Sequence, residues 1–148
     1  MDNAQKHYFD EYFLKNVGNF ITELDDPFSC EEFESALKGL KNNKASSFDK
    51  ITNEMLKVSG KIYKSSFLHL FNSICKVSFY PNCWKKDILN PIHKLNEKDY
   101  PNNFRGISIS SCFGKLFTKM LKNRLQKFID ENSFISKNQG SGKKGSRT

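Results

Sequence analysis

The stretch from Asp87 to Ser110 constrains the fold more than any other part of the chain. It contains two short runs, Ile88 to Lys94 and Phe104 to Ile109, whose length and apolar content are typical of β-strands. The segment between them, LNEKDYPNN, is rich in Asn, Asp and Pro, the residues that reverse a chain. The sequence therefore predicts an antiparallel β-hairpin whose first strand is interrupted by Pro91.

This hairpin would bring two cationic side chains, Lys94 and Arg105, towards each other. Two cations with few carboxylates nearby can form a binding site for a phosphate group. The alternative is that both are solvated charges on an edge hairpin, because basic side chains usually lie on the surface. The two residues alone do not decide between these interpretations.

Composition favours a polyanionic partner. Lys and Arg number 24 against 16 Asp and Glu, which gives a net charge of +8, and 14% of the residues are aromatic. Interleaved cations and aromatic rings suit the binding of phosphates and the stacking of bases. With 148 residues the chain is long enough for one domain with a hydrophobic core.

Several other classes of function lack support in the sequence. The four cysteines show no CxxC spacing, so we expect no zinc site and read them as the reduced thiols of an intracellular protein. No signal peptide is visible and no segment approaches the ~20 apolar residues of a membrane span, so we expect no membrane contact. Motifs of P-loop enzymes, zinc proteases and serine hydrolases are missing, as is a clustered carboxylate pair, so the residues predict no catalytic or metal site.

The rest of the chain has helical periodicity, and the predicted fold is α+β, mostly helical with one small antiparallel hairpin. Ser29 and Glu32 have the spacing of a capping box, and Thr52 is a candidate N-cap. Trp84 is expected to anchor the core. Apolar residues recur at helical spacing in the segments 8–21, 33–40, 62–75 and 116–129. The last of these has a basic opposite face, of a kind that is usually solvated, formed by Lys115, Lys119, Lys122, Arg124 and Lys127.

Four blocks of sequence carry a family resemblance through their order. They are LKGLKNNKASSFDKITNEMLK (37–57), FNSICKVSFYPNCWKKDILNPIHK (71–94), NNFRGISISSCFGKLFTKMLKNRLQKFI (102–129) and NQGSGKKGSRT (138–148). Together they resemble the N-terminal, fingers part of the reverse transcriptases of non-LTR (LINE-like) retrotransposons. Each block alone is a weak signal, but four in the right order over residues 28–148 are specific.

The resemblance implies an RNA-directed DNA polymerase with a right-hand fold, which uses an RNA template, a DNA primer and deoxynucleoside triphosphates and depends on Mg²⁺. It divides the chain into an N-terminal amphipathic helix and linker (1–27), a partial fingers domain (28–137) and a basic, glycine-rich tail that leads towards the palm (138–148). The metal-binding aspartates of the family's palm are not among these residues. We therefore expect a fragment that binds no Mg²⁺, has no catalytic residue and is inactive without the palm and thumb.

Single positions match the family's motifs. Lys94 falls at the basic position that ends the first fingers strand, and Arg105 at the arginine of the R-x-I-S block; the resemblance implies that both contact the incoming nucleotide. It also implies contacts with the template or other nucleic acid for a second group of residues, namely Lys44, Asp49, Gln139, Lys143 and Lys144.

The chain departs from the family in three blocks. The family's Gly-Pro-Asp-Gly run is replaced by residues 47–50, SFDK, which puts in question a loop conformation with positive φ at two glycines. Gly106 replaces the proline of R-P-I-S, which is expected to loosen the strand beside Arg105. Residues 140–142, GSG, replace an aromatic and glycine pattern.

A second hypothesis comes from another class of protein. The same basic, aromatic-rich composition suits a stand-alone helical module that binds RNA or a protein partner through this surface. It differs from the polymerase hypothesis in requiring no palm.

Overall fold

The computed structural model describes His7, Glu11, residues 22–94, Glu97 and residues 100–132, and the architecture is α+β as predicted. The chain divides into two compact units, one of residues 1–26 with 121–148 and one of residues 27–120. Two short 3₁₀ turns, Asn82–Lys85 and Pro101–Asn103, precede the two strands. The regular elements are α1 (Thr22–Asp25), α2 (Cys30–Lys38), α3 (Asn53–Val58), α4 (Lys61–Val77), β1 (Ile88–His93), β2 (Phe104–Ile109) and α5 (Cys112–Glu131).

The predicted helix starts are confirmed. The backbone N–H of Ser29 donates to Glu32 Oε2 at 2.9 Å, and the N–H of Glu32 donates to Ser29 Oγ at 3.2 Å, which completes the capping box of α2. The Thr52 hydroxyl accepts from the N–H of Met55 at 3.3 Å and caps α3. Local side-chain chemistry therefore sets where both helices begin.

The end of α2 depends on lysines that are distant in sequence. Gly39 stands at the C-cap with a right-handed φ of −76°, so no left-handed glycine is needed there. Its carbonyl accepts from Lys119 Nζ, and the carbonyl of Leu40 accepts from Lys57 Nζ at 2.6 Å. Because the last carbonyls of a helix lack partners and carry partial negative charge, these two lysines stabilise the helix end.

The core of the 27–120 unit is built around Phe71, whose side chain is fully buried. Its ring lies 6.0 Å from that of Phe33, 5.9 Å from that of Trp84 and 5.5 Å from that of Phe117, measured between centroids. The contacts with Trp84 and Phe117 are edge-on, and such pairs add about 0.5–1.5 kcal/mol each beyond the burial of apolar area. The prediction that Trp84 anchors the core is confirmed. The buried apolar residues of this core are Phe28, Phe33, Ala36, Leu37, Leu56, Phe71, Ile74, Trp84, Cys112, Leu116, Phe117 and Met120.

The two strands pair antiparallel in the predicted hairpin, with Ile88 opposite Ile109 and His93 opposite Phe104. The ladder continues past β1, since the N–H of Lys94 donates to the carbonyl of Asn103 at 2.8 Å. Hydrogen-bonded and non-hydrogen-bonded pairs alternate along an antiparallel ladder, so Pro91 stands at a non-hydrogen-bonded position. Its missing N–H therefore removes no ladder bond, which explains how the strand continues through it.

The unit of residues 1–26 with 121–148 is described for His7, Glu11, α1, residue 26, the second half of α5 and residue 132. Arg124 Nη1 donates to the carbonyl of Leu24 at 3.2 Å and to the carbonyl of Asp26. These bonds satisfy carbonyls at the end of α1. The predicted helix of residues 8–21 and the predicted tail 138–148 fall largely or wholly outside the described residues. Within the described part of the chain, no helix combines the length and apolarity needed to cross a membrane.

Candidate phosphate-binding hairpin

The hairpin has two faces of different chemistry, because side chains alternate along a strand. The rings of His93 and Phe104 lie on one face, with centroids 5.3 Å apart. By alternation and the observed register, the other face carries Arg105; we call it the cationic face. It consists of Ile88, Asn90, Ile92, Lys94, Arg105, Ile107 and Ile109.

Lys94 and Arg105 are diagonal neighbours on the cationic face. Lys94 pairs with Asn103, which directly precedes β2, and Arg105 follows Asn103 by two residues. Diagonal Cα atoms in such a ladder are roughly 7–8 Å apart, within reach of long side chains. The structure therefore brings the two predicted residues together. Both are exposed, and neither forms an ion pair with a carboxylate of the residues that the structure describes.

The cationic face also presents half-exposed isoleucines. Ile92 is 47% exposed and Ile107 is 42% exposed, and Ile92 lies directly opposite Arg105. Two cations beside two apolar side chains can contact both the charge of a phosphate and the apolar surface of a base.

The loop before α3 contains a tight turn at Ser47–Lys50, in which the N–H of Lys50 donates to the carbonyl of Ser47 at 3.0 Å. Lys50 has a φ of 54°, whereas Ser47 is not in the left-handed region. At the first glycine position of the family's run, Ser47 lacks a positive φ. At the second glycine position, Lys50 has a positive φ although it is not a glycine. This conformation costs an ordinary L-residue about 1–2 kcal/mol.

Two side-chain hydrogen bonds fasten this turn to the end of the hairpin, and a third holds Asp49 within the loop. Ser47 Oγ donates to the carbonyl of Ile109 at 3.1 Å, and Ser111 Oγ donates to Asp49 Oδ2 at 2.7 Å. The other carboxylate oxygen, Asp49 Oδ1, accepts from the N–H of Ile51 at 3.1 Å. Ser47 and Ser111 are 5% and 2% exposed, so both hydroxyls are bonded inside the protein. We call this arrangement the loop clamp.

Sequence reasoning offered Ser110 or Ser111 as the cap of the last helix, but it missed the long-range bonds of both serines of the loop clamp. Ser111 directly precedes α5, where a serine is typical of an N-cap, and its carbonyl does accept the first helical bond, from the N–H of Lys115 at 2.9 Å. Its hydroxyl, however, donates to a carboxylate 62 positions earlier. Only the tertiary structure reveals that bond.

The predicted nucleic-acid contacts have different surroundings. Lys44 is exposed in the loop, whereas Asp49 uses both carboxylate oxygens in the loop clamp. Its contact with a template remains a prediction, and the observed bonds give it a positioning role. The other three predicted residues, Gln139, Lys143 and Lys144, lie outside the described residues.

The basic face of α5 is only partly solvated. Lys119 and Arg124 donate to backbone carbonyls, as described above, and Lys127 Nζ lies 3.8 Å from Glu131 Oε1. Lysine and arginine side chains that hold helix ends are less available for phosphate. These contacts therefore leave the hairpin as the better candidate site.

Two ionisable groups near the loop have shifted pKa values. The N–H of Asn43 donates to Glu54, and this bond lowers the pKa of the Glu54 carboxyl below 4.5. Burial raises the pKa of the Cys112 thiol, which disfavours a reactive thiolate.

No group of three metal-ligating side chains occurs in the part of the chain that the structure describes.

Comparison with known proteins supports the family resemblance. The chain is 29% identical over 126 residues to a probable RNA-directed DNA polymerase from transposon BS of Drosophila melanogaster. It is 26% identical over 114 residues to a probable RNA-directed DNA polymerase from transposon X-element of the same organism. These matches cover 82% and 76% of this chain but only 14% and 13% of the relatives. No profile of a known protein family matches. The chain is thus similar to a part of two probable RNA-directed DNA polymerases from transposons, which supports the resemblance to a reverse transcriptase segment.

Proposed function

We propose that this chain is a fingers segment of an RNA-directed DNA polymerase, and that its hairpin contacts the triphosphate of the incoming deoxynucleotide. The observation that carries the proposal is the placement of Lys94 and Arg105 as diagonal neighbours on one exposed face. The similarity to two transposon polymerases supports the same assignment.

The two residues supply complementary contacts. The guanidinium of Arg105 presents a planar fork that can bond two phosphate oxygens at once, while the ammonium of Lys94 acts as a compact point charge. Their diagonal spacing lets one triphosphate reach both. The isoleucines of the cationic face, Ile92 and Ile107, would then lie against the nucleoside part.

The loop clamp supports a second part of the proposal. Because Ser47 and Asp49 bond to the junction of β2 and α5, the exposed Lys44 is carried on a loop held near the base of the hairpin. We assign Lys44 to the RNA template and Asp49 to the positioning of the loop. Gln139, Lys143 and Lys144 keep their proposed nucleic-acid role on the resemblance alone.

The proposal includes no chemical step by this chain alone. Polymerases of this class use Mg²⁺ held by carboxylates, and the described residues offer no fitting cluster. The metal-binding residues, the rest of the palm and the thumb would have to come from elsewhere in a complete polymerase. A primer-extension assay with the 148-residue chain, RNA template, DNA primer and Mg²⁺ should therefore give no product above background. Robust synthesis would contradict this part of the proposal.

The nucleotide contact is tested by NMR. The ¹⁵N-labelled chain is titrated with a deoxynucleoside triphosphate and, in parallel, with the same deoxynucleoside lacking phosphates. We expect amide shifts on β1, Lys94 and β2 with the triphosphate and much smaller shifts with the nucleoside. Equal shifts with both compounds would argue against a phosphate-binding site. Shifts spread evenly over all lysines would indicate non-specific electrostatic attraction. Binding of RNA without a response to the triphosphate would favour a stand-alone RNA-binding module.

A further inference from the structure

Asn103 forms hydrogen bonds to three other residues at the closed end of the hairpin. Its carbonyl accepts from the N–H of Lys94 at 2.8 Å, and its own N–H donates to the carbonyl of Tyr100 at 3.0 Å. Its side chain adds a further bond, in which Nδ2 donates to the carbonyl of Glu97 at 2.7 Å. One residue therefore joins the last rung of the ladder to two separate points of the connection between the strands.

The side-chain bond reaches further than a local turn requires. Asn side chains commonly close a turn by bonding to backbone groups about two residues away. The bond of Asn103 instead runs six positions back along the chain. It therefore ties Glu97 to the start of β2 and does more than close the 3₁₀ turn Pro101–Asn103.

The two cations of the cationic face depend on Asn103 to different degrees. Arg105 lies inside β2 and pairs with Ile92 in the ladder, whereas Lys94 follows the last residue of β1. The backbone of Lys94 is paired through Asn103. Because the lysine stem is flexible, the position of its backbone largely decides where the ammonium can reach. A displacement of Asn103 would therefore move Lys94 relative to Arg105.

An amide suits this position chemically. Asn103 is half-buried, and its Nδ2 supplies a hydrogen bond to a backbone carbonyl without adding charge. An ionised aspartate of the same size could not donate this bond, since both of its oxygens only accept. It would also place a negative charge close to Lys94, where it would repel a phosphate.

We propose that Asn103 is a positioning residue for phosphate binding, which holds the backbone of Lys94 so that its ammonium and the guanidinium of Arg105 can reach the same triphosphate. The inference rests on the proposed function and names the residue that sets the spacing of the two cations. Asn103 acts through Lys94 and does not itself contact the phosphate.

A double-mutant cycle tests this role. Dissociation constants for a deoxynucleoside triphosphate are measured by NMR titration of the 148-residue chain and of the variants Asn103→Ala, Lys94→Ala and their combination. We expect each single substitution to weaken binding by about threefold, and the combination to bind no more weakly than Lys94→Ala alone. Asn102→Ala is the matched control, because Asn102 is an exposed neighbour of the same type and should leave the affinity unchanged.

Two further measurements separate positioning from a general loss of structure. Hydrogen exchange at the Lys94 amide should become faster in Asn103→Ala, whereas amides in the middle of β2 should keep their protection. Asn103→Asp keeps the size of the side chain but lacks the donor, and it should weaken triphosphate binding at least as much as Asn103→Ala. Unchanged exchange at Lys94, or parental affinity in Asn103→Asp, would overturn the inference.

The outcomes of the cycle distinguish this inference from the proposed function. If Lys94→Ala weakens binding but Asn103→Ala does not, the positioning role is wrong and the nucleotide contact stands. A further loss from Asn103→Ala in the Lys94→Ala background would also overturn the inference, because the effect would then not pass through Lys94. Unchanged affinity in Lys94→Ala would contradict the proposed function itself.

Discussion

Ser111 Oγ donates a 2.7 Å hydrogen bond to Asp49 Oδ2, which joins the loop before α3 to the residue that precedes α5, across 62 positions of sequence. The serine is 2% exposed, so water cannot replace the carboxylate as an acceptor without a structural change. This bond fixes the loop that carries Lys44 to the junction that follows β2. It links the two parts of the proposed nucleotide and template surface.

Removal of the carboxylate should destabilise the protein. Asp49→Ala leaves the buried hydroxyl of Ser111 without its acceptor and frees the turn, and we expect a loss of about 1–3 kcal/mol of unfolding free energy. Ser111→Ala should cost about 1 kcal/mol, and the double variant should cost less than the sum. Urea denaturation measures all three. Asp87→Ala is the control: Asp87 accepts from the exposed Ser108, and its loss should stay within about 0.5 kcal/mol.

Lys50→Gly should stabilise the protein. Lys50 has a φ of 54°, which strains an L-residue and suits glycine. Glycine also has greater freedom in the unfolded chain, which offsets part of this effect. We therefore expect the free energy of unfolding to rise by roughly 0.5–1 kcal/mol. The control is Lys50→Ala, which removes the same charge but keeps the strain. If the alanine variant gained as much, the effect would come from charge and not from the backbone.

Phe71→Ala should lower the free energy of unfolding by about 3–5 kcal/mol, because the ring is fully buried among three other aromatic rings. Phe71→Leu keeps most of the volume and should cost less. Thermal and urea unfolding provide the measurement. Phe79→Ala serves as a comparison, since that ring is 55% exposed. Similar losses at the two positions would show that the core has been assigned wrongly.

The loop should loosen in acid. The pKa of Glu54 is lower in the folded protein than its ordinary value of 4.5, so its bond to the N–H of Asn43 contributes stability fully above pH 4.5 and loses it as pH falls through the folded pKa. Hydrogen exchange at the Asn43 amide should therefore become less protected at acidic pH than exchange at core amides. Glu54→Gln, which cannot titrate, should remove this pH dependence. Its persistence in that variant would point to another group.

The sequence predicted those features that depend on local chemistry. The capping box at Ser29, the N-cap at Thr52 and the hairpin all follow from short-range patterns, and all are confirmed. The placement of Lys94 and Arg105 on one face also follows, because the register of a two-stranded ladder determines which side chains are neighbours.

Long-range polar contacts could not be predicted in this way. The bonds from Ser47 to Ile109 and from Ser111 to Asp49 each join residues 62 positions apart, and a serine has many possible acceptors. The lysine that bonds the end of α2, Lys119, belonged to a face that its spacing marked as solvated. Such partners are selected by the packing of helices and not by local propensity.

The central claim concerns charge at two positions of the hairpin, and a pair of double variants tests it most directly. Lys94→Ala with Arg105→Ala is compared with Lys85→Ala with Lys86→Ala, which removes the same charge from exposed residues before the hairpin. Dissociation constants for a deoxynucleoside triphosphate are measured by NMR titration at one fixed salt concentration. The account predicts that the hairpin variant binds roughly tenfold or more weakly than the unmodified chain, about 1.4 kcal/mol, with little change in the control. Equal losses in the two variants, or no loss in the hairpin variant, would contradict it.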